Sequence, residues 1–234
     1  MMNPVSPAME QDLKGYRYNQ DSFLLASFYR QKMPGLLADF CAGTGVVSIL
    51  VGARRPGLRI VALEMNFAMA AQARRNAASY GLSSYQIIAA DIMSAPDMFK
   101  GRPFGAIIAN PPYRKSGHGR LNQDQDKAMA RHEVAMTLAG MVDAAARLLV
   151  PGGALTLVML QSRREEYLEL IKNAGFVEAR FRHVRYRATS PSKIFLSEAV
   201  LGECPHPAQE PDLVIAQGDG WTREYQQIVE QYGR

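Results

Sequence analysis

The segment Asp39-Phe40-Cys41-Ala42-Gly43-Thr44-Gly45 gives the clearest indication of the fold. An apolar run at residues 36–40 predicts a short strand before it, and residues 46–53 predict an apolar helix after it. Glycines in such a loop allow a ligand to approach the backbone closely. In a doubly wound sheet the loop after the first strand faces the crevice where ligands bind. The stretch therefore predicts an α/β fold with a ligand site beside Gly43 and Gly45.

The glycine pattern also restricts the kind of ligand. A dinucleotide-binding loop requires G-x-G-x-x-G, and here Ser48 stands in place of the third glycine. The chain has no Gly-Lys-Ser/Thr phosphate loop either, which disfavours a nucleoside triphosphatase. We therefore expect a weakly charged adenosine ligand.

Predicted strands and helices alternate along most of the chain. Apolar runs bounded by turn residues predict strands at residues 36–40, 58–63, 85–90, 104–109, 154–160, 176–187 and 193–201. Helical spacing predicts helices at residues 21–31, 46–53, 67–80, 133–150 and 163–174. The alternation predicts a doubly wound, mainly parallel seven-stranded sheet, whose last pair is antiparallel because no helix joins the two strands. We interpret residues 1–234 as one domain with an N-terminal arm, 1–20, and a C-terminal extension, 205–234.

Acidic side chains stand at the carboxyl ends of the predicted strands. Glu64 lies about twenty residues after the glycine loop, which favours hydrogen bonds to ribose hydroxyls over a solvated surface charge. Asp91 can accept a hydrogen bond from an adenine amino group or cap the short segment that follows it. Asp39 can pair with an ammonium group, orient the glycine loop or have a purely structural role. Cys41 fits a small buried filler better than a nucleophile.

The fourth predicted strand, residues 104–109, runs into Asn110-Pro111-Pro112-Tyr113. Each proline lacks an N–H group and restricts the residue before it, so the turn presents acceptors in a rigid arrangement. Two acceptors and an aromatic ring suit a planar exocyclic NH₂ group on a base that stacks on the ring. The alternative interpretation is a proline-rich turn with a structural Asn. The glycine-rich and acidic strand ends favour the first interpretation.

The order of these motifs resembles that of the class I S-adenosylmethionine-dependent methyltransferases. The resemblance implies that S-adenosylmethionine binds to Asp39, Cys41, Ala42, Gly43, Thr44, Gly45, Glu64, Met65, Asp91, Ile92 and Asn110. It also implies a catalytic group that acts on an exocyclic or amide nitrogen and consists of Asn110, Pro111, Pro112 and Tyr113. In this group the Asn110 side chain and the Pro111 carbonyl accept hydrogen bonds from the nitrogen, and Tyr113 stacks on an unstacked base.

Further segments resemble one subgroup of that class, the bacterial tRNA1(Val) adenine N6-methyltransferases. They are Gly15-Tyr16-Arg17-Tyr18-Asn19-Gln20-Asp21, Leu24-Leu25-Ala26, Ala130-Arg131-His132-Glu133, Leu213-Val214-Ile215 and Gly220-Trp221-Thr222. Membership implies methylation of the adenine just 3′ of the anticodon in a valine tRNA. It also implies that the region of Asp21 covers the cofactor side of the pocket.

The charge of the chain favours an RNA partner. The net charge is +5 and the pI is about 9.3. Phosphate contacts from basic side chains would position an RNA without reading its sequence. We expect such contacts from Arg114, Lys115, Arg120 and Arg131 after the Asn-Pro-Pro-Tyr motif, and from Arg180, Arg182, Arg185 and Lys193 on the last strand pair.

The remaining composition is that of an ordinary globular protein, 47% hydrophobic and 21% charged. Cys41 and Cys204 show neither metal-ligand spacing nor a disulfide-rich pattern, which fits a reducing compartment. No apolar run has the length of a signal-peptide core or of a membrane span. We therefore expect a cytoplasmic protein that binds neither a membrane nor a metal.

Three other functions stay open as alternatives. A protein glutamine N5-methyltransferase shares Asn-Pro-Pro-Tyr but usually has a separate helical N-terminal domain, for which the residues before Asp39 leave no room. A guanine-N2 methyltransferase of rRNA is excluded less firmly. A non-catalytic RNA-binding or assembly protein need not keep Glu64, Asn110 and the loop glycines, so their presence favours an enzyme.

Overall fold

A computed structural model describes residues 20–30, 33, 35–101, 103–111 and 137–232. The seven long strands are β1 (Leu36–Phe40), β2 (Ile60–Leu63), β3 (Tyr85–Ile88), β4 (Phe104–Ala109), β5 (Leu149–Leu160), β6 (Phe176–Arg185) and β7 (Ile194–Leu201). The helices are α1 (Gln20–Phe28), α2 (Val46–Ala53), α3 (Phe67–Ser79), α4 (Ala95–Met98), α5 (Leu138–Leu148), α6 (Arg164–Asn173) and α7 (Arg223–Tyr232). Four two-residue strands follow β7: β8 (Ala208–Gln209), β9 (Leu213–Val214), β10 (Ala216–Gln217) and β11 (Gly220–Trp221).

The long strands form one sheet in the order β3-β2-β1-β4-β5-β7-β6. The pairs from β3 to β5 are parallel, and β7 pairs antiparallel with both β5 and β6. The predicted doubly wound, mainly parallel sheet with an antiparallel last pair is therefore confirmed. β8 and β9 both pair with β6, which extends the sheet to nine strands rather than the predicted seven. Strands of two residues are too short for an alternating pattern to reveal them.

Both faces of the sheet are covered, because successive side chains of a strand point to opposite faces. On one face Ala38 and Ile107 pack in a core that includes side chains of α5 and α6. On the other face Leu37 and Ile108 pack in a core that includes side chains of α1, α2 and α7. In the described part of the chain no helix has the length and apolar content that a membrane span needs.

The boundary between α5 and β5 differs from the prediction. Pro151-Gly152-Gly153 predicts a turn between a helix that ends at residue 150 and a strand that begins at residue 154. The helix instead ends at Leu148, and β5 begins at Leu149, which pairs with Phe104. The proline and glycines lie within an irregular stretch of β5, where the register with β4 shifts. Pairing with a buried neighbouring strand therefore outweighs the local turn preference.

Candidate active site

The register of the central strands brings the predicted site residues together at the carboxyl edge of the sheet. Phe40 of β1 pairs with Leu63 of β2 and with Ala109 of β4. The next residues along these three strands are Cys41, Glu64 and Asn110. They therefore leave the sheet side by side, at the edge where open α/β sheets bind ligands.

The loop after β1 adopts a backbone conformation that favours glycine. Gly43 has φ +57° and Gly45 has φ +82°, and Cys41, with φ +59°, is the one non-glycine residue with positive φ in the described part of the chain. A Cβ atom on Gly45 would lie 2.7 Å from the Tyr85 hydroxyl, so packing also requires glycine there. A Cβ atom on Gly43 would meet only Met69, at 3.4 Å. The backbone beside Gly43 is therefore open enough for a ligand to approach it.

Glu64 holds the glycine loop in place. Its Oε2 atom accepts a hydrogen bond from the Gly43 backbone N–H at 2.8 Å, and its Oε1 atom accepts one from Asn66 N–H at 2.8 Å. Asn66 in turn caps α3 by accepting hydrogen bonds from Ala68 and Met69. A carboxylate has about four acceptor positions, so these two bonds leave capacity for ribose hydroxyls.

Asp39 is a buried carboxyl group, with 2% of its surface exposed. Burial raises the pKa of Asp39 to about 7, and the Glu64 carboxylate also raises it, while hydrogen bonding to Ser48 lowers it. The Oδ2 atom has no hydrogen-bond partner among the described residues. A buried acceptor without a partner is costly, so this atom has a place for a donor from a ligand.

The Cys41 thiol lies beside three of the predicted carboxylates. Burial raises the pKa of Cys41. The neighbouring carboxylates raise it further, those of Glu64, Asp39 and Asp91. The thiol therefore stays protonated at neutral pH and is not a nucleophile.

Asp91 caps the short 3₁₀ helix Ile92–Ser94, which was one of its two predicted roles. Its Oδ1 atom accepts a hydrogen bond from Met93 N–H at 2.9 Å. Ile92 is buried in the core between the sheet and α5. The Glu64 carbonyl accepts a hydrogen bond from Ala90 N–H at 3.1 Å, which links the residues that follow β2 and β3.

Asn110 follows β4 and contacts the first turn of α1. Its Nδ2 atom donates a hydrogen bond of 3.4 Å to the hydroxyl of Ser22, which is buried. The sequence did not indicate Ser22, because the contact joins residues 88 positions apart. Pro111 is buried directly after Asn110. Pro112 and Tyr113 lie outside the described residues.

These residues fit an adenosine-containing cationic ligand. The open backbone at Gly43, the remaining acceptor capacity of Glu64 and the unpaired Oδ2 atom of Asp39 lie around one loop. A ligand with ribose hydroxyls and an ammonium group would supply the donors that these acceptors lack.

The predicted RNA contacts of β6 do not agree with the structure. Arg180 is 5% exposed, and it donates hydrogen bonds to Glu198 at 2.7 Å and to Glu210 at 3.0 Å. The prediction for Arg180 is wrong, because a buried guanidinium paired in this way does not reach a phosphate. The carboxylates that pair with Arg180 are distant in sequence. The arginine-rich stretch of β6 therefore looks unpaired when only its own sequence is considered.

Two further arginines of β6 hold the C-terminal extension. Arg182 forms a two-bond ion pair with Glu224, and Arg185 pairs with Asp212. These contacts give both side chains a structural role. Lys193 is exposed and stays a predicted RNA contact. The predicted contacts of Arg114, Lys115, Arg120 and Arg131 lie outside the described residues.

No group of three or more His, Cys, Asp or Glu side chains within the described ranges is arranged to hold a metal ion. The strand order and the site at the carboxyl edge define a class I S-adenosylmethionine-dependent methyltransferase. A family model described as the methyltransferase small domain matches residues 17–189. The chain belongs to this family, and S-adenosylmethionine is its methyl donor.

Two curated relatives share one name and match most of the chain. The tRNA1(Val) (adenine(37)-N6)-methyltransferase of Vibrio cholerae is 27% identical over 227 residues, which cover 96% of this chain and 91% of the relative. The protein of the same name from Porphyromonas gingivalis is 30% identical over 190 residues, which cover 78% of this chain and 73% of the relative.

Solved structures of other methyltransferases share the fold. A predicted O-methyltransferase from Agrobacterium tumefaciens superposes with a TM-score of 0.71 at 20% identity, covering 91% of this chain and 96% of its own. A precorrin-6y C5,15-methyltransferase from Geobacter metallireducens superposes with a TM-score of 0.59 at 16% identity, covering 83% of this chain and 94% of its own. At these identities the likeness supports the fold alone.

Proposed function

We propose that the protein transfers a methyl group from S-adenosylmethionine to the N6 amine of an adenine in tRNA. The observation that carries the proposal is the position of Asn110 and Pro111 at the end of β4, beside the glycine loop. The curated relatives, which are named tRNA1(Val) (adenine(37)-N6)-methyltransferases, support adenine and tRNA as the substrate.

The proposed chemistry depends on the alignment of two groups. The adenine amine is a poor nucleophile because its lone pair is delocalised into the ring. S-adenosylmethionine supplies a methyl group that is already activated by the sulfonium charge. The side-chain oxygen of Asn110 and the carbonyl of Pro111 accept the two hydrogens of the amine. They hold the nitrogen in line for attack and stabilise the positive charge that develops on it. Tyr113 stacks on the flipped base.

The cofactor residues have distinct proposed roles. Glu64 accepts hydrogen bonds from the ribose hydroxyls while it holds Gly43. Asp39 pairs with the ammonium group of the methionine moiety, because its buried Oδ2 atom lacks a partner among the described residues. Asp91 and the backbone of Ile92 bind the edge of the adenine ring. Cys41, Ala42, Thr44, Gly45 and Met65 line the cofactor through their backbone.

Because tRNA is the proposed substrate, we propose that the protein acts in the cytoplasm. The net charge of +5 favours a polyanionic partner. Two enzyme alternatives share the same chemistry at nitrogen and differ only in the acceptor: the guanine N2 amine of rRNA and the glutamine amide of a protein. The identity of the methylated product distinguishes all three.

One experiment separates these acceptors. The protein is incubated with S-adenosylmethionine that carries a labelled methyl group and, in separate reactions, with total tRNA, rRNA or release factor. Mass spectrometry then identifies the labelled product. We expect N6-methyladenosine in tRNA. Labelled N2-methylguanosine in rRNA, or label only in the release factor, would contradict the proposal.

A further inference from the structure

Two aromatic rings and several basic side chains are exposed together after β6. Tyr186 is 59% exposed and Trp221 is 54% exposed, although large aromatic rings usually contribute to a core. Arg187, Lys193 and Arg223 are exposed as well. We call these five residues the Trp221 surface.

Backbone hydrogen bonds hold the two rings near each other. The Ala216 N–H donates to the Tyr186 carbonyl at 2.7 Å, and Ala216 pairs with Trp221 in the β10–β11 hairpin. Arg187 donates from its guanidinium to the Gly218 carbonyl in the same hairpin at 2.8 Å. The rings therefore lie on the two segments that flank β10, about two strand spacings or ~10 Å apart, and the surface is a built part of the fold.

The Trp221 surface lies at the same sheet edge as the active site. β6 is antiparallel to β7, which is antiparallel to β5, so β6 points in the same direction as β4 and β5. Tyr186 follows the carboxyl end of β6, as Asn110 follows that of β4. Three strand spacings separate β4 from β6, a distance of about 14 Å. About four stacked nucleotides of a single-stranded RNA cover that distance.

A chain of contacts also joins this surface to the active site. The ring of Trp221 lies 5.3 Å from that of Tyr225, in a T-shaped arrangement. The Tyr225 hydroxyl donates a hydrogen bond of 3.3 Å to Gln20, in the first turn of α1. The same turn carries Ser22, whose hydroxyl contacts Asn110. The Trp221 surface is therefore a neighbour of the proposed catalytic turn.

We infer that the Trp221 surface binds unpaired nucleotides of the RNA substrate, with bases stacked on Tyr186 and Trp221 and phosphates beside the basic side chains. Aromatic rings next to cations are the combination that binds single-stranded RNA without reading its sequence. Two exposed carboxylates stand near these three cations, Asp219 in the hairpin and Glu224, and Glu224 already pairs with Arg182, so the surface stays basic. The inference rests on the proposed tRNA substrate and adds the place where the RNA next to the target base is held.

Trp221 allows a direct test, because it is the only tryptophan of the chain. Total tRNA is titrated into the full-length protein in the presence of S-adenosylhomocysteine while the tryptophan fluorescence is recorded. We expect saturable quenching that high salt reverses. Unchanged fluorescence at tRNA concentrations that saturate methylation would overturn the inference. This holds whether or not added release factor changes the fluorescence.

Substitutions provide the second arm of the test. Tyr186→Ala and Trp221→Ala are each expected to raise the KM for tRNA about 10-fold and to leave the affinity for S-adenosylhomocysteine unchanged. Val177→Ala is the matched control, because Val177 is an exposed apolar residue at the opposite end of β6. If Trp221→Ala perturbs the packing on Tyr225, then Tyr186→Ala and Trp221→Phe still decide the outcome.

The two arms separate this inference from the proposed function. Methylation of tRNA with wild-type KM values in both Tyr186→Ala and Trp221→Ala would overturn the inference and leave the proposed function intact. Quenching by tRNA without any methylation of it would contradict the proposed function and support an RNA-binding surface.

Discussion

At the scale of single residues, Asn110 connects the chemistry to the fold. The strand β4 brings it to the carboxyl edge beside Cys41, and Ser22 holds its amide nitrogen. The hydrogen bond to Ser22 holds the amide group in position, and a serine hydroxyl can pair with either the nitrogen or the oxygen of the amide. A positioned amide group is what an acceptor for the target amine requires.

Replacement of this side chain tests its role. We expect Asn110→Ala to lower kcat for tRNA methylation by about 100-fold or more, because one preorganised acceptor is lost from the transition state. The affinity for S-adenosylhomocysteine should stay nearly unchanged in calorimetry. Wild-type turnover in a folded Asn110→Ala protein would remove Asn110 from the mechanism.

Asp39 gives a prediction about pH. Its pKa rises from 3.8 to about 7 on folding, so the folded state binds one more proton than the unfolded state between these values. The free energy of unfolding therefore contains a contribution that is lost as pH rises from about 4 to about 7. We expect Asp39→Asn to remove this loss, which would make the variant more stable than the wild type at pH 8.

The same substitution should weaken cofactor binding, because an amide does not pair with an ammonium group as a carboxylate does. Denaturant unfolding at pH 5 and pH 8, followed by calorimetry with S-adenosylhomocysteine, measures both effects. Lower stability of Asp39→Asn than of the wild type at pH 8 would contradict the account of the buried carboxyl group.

The sequence predicted that Glu64, Asp91 and Asn110 lie at one edge of the sheet, because the carboxyl ends of parallel strands share that edge. The cap formed by Asp91 followed from a local pattern as well, whereas the burial of Asp39 is a finding of the structure. The hydrogen bond between Ser22 and Asn110 could not be predicted, because it depends on how α1 packs on the finished sheet.

At the scale of secondary-structure elements, the turn from β1 to α2 depends on the packing of Gly45. A methyl group there would lie 2.7 Å from Tyr85 and 2.9 Å from Ile49, and φ is +82°. Gly81 is a matched control, with φ +68° and no atom within 4 Å of the added Cβ. Replacing either glycine by alanine costs about 1–2 kcal/mol of stability, because an alanine backbone disfavours positive φ.

Gly45→Ala should cost a further amount of about 1–3 kcal/mol from overpacking. We therefore expect it to be the more destabilising of the two in denaturant unfolding, and to lose cofactor affinity that Gly81→Ala retains. Equal unfolding free energies of the two variants would show that the turn relaxes around the added methyl group.

The ion pairs of β6 give a second comparison between elements. Glu198 is fully buried against Arg180, whereas the side chain of Glu224, which pairs with Arg182, is 51% exposed. Glu198→Gln removes the negative charge that pairs with the buried Arg180 guanidinium, and this should cost about 3 kcal/mol of stability. Glu224→Gln should cost about 1 kcal/mol or less.

Denaturant unfolding of these two variants measures the difference. A similar small loss for both would mean that Glu210 compensates Arg180 without Glu198. The comparison also shows why the arginines of β6 misled the sequence prediction. Their acidic partners lie in β7 and in the C-terminal extension, and a charge pattern along the chain does not reveal such distant pairs.

At the scale of the whole molecule, the C-terminal extension completes the fold. Its strands β8 and β9 add to the β6 edge, and α7 packs with α1 in the core on one face of the sheet. Through α1 the extension supports the turn that holds Asn110. The alternation of strands and helices predicted the sheet, but it did not reveal β8 and β9, because two-residue strands carry no periodic signal.

We expect the edge formed by β1, β2 and β4 to bind S-adenosylmethionine next to Asn110. Calorimetric titration of S-adenosylhomocysteine into the wild-type protein, Glu64→Ala and Asn110→Ala measures this binding. We predict saturable one-to-one binding by the wild type and by Asn110→Ala, and at least about 10-fold weaker binding by Glu64→Ala, which loses a charged acceptor and the tie to Gly43. The absence of binding by the folded wild-type protein would contradict the account.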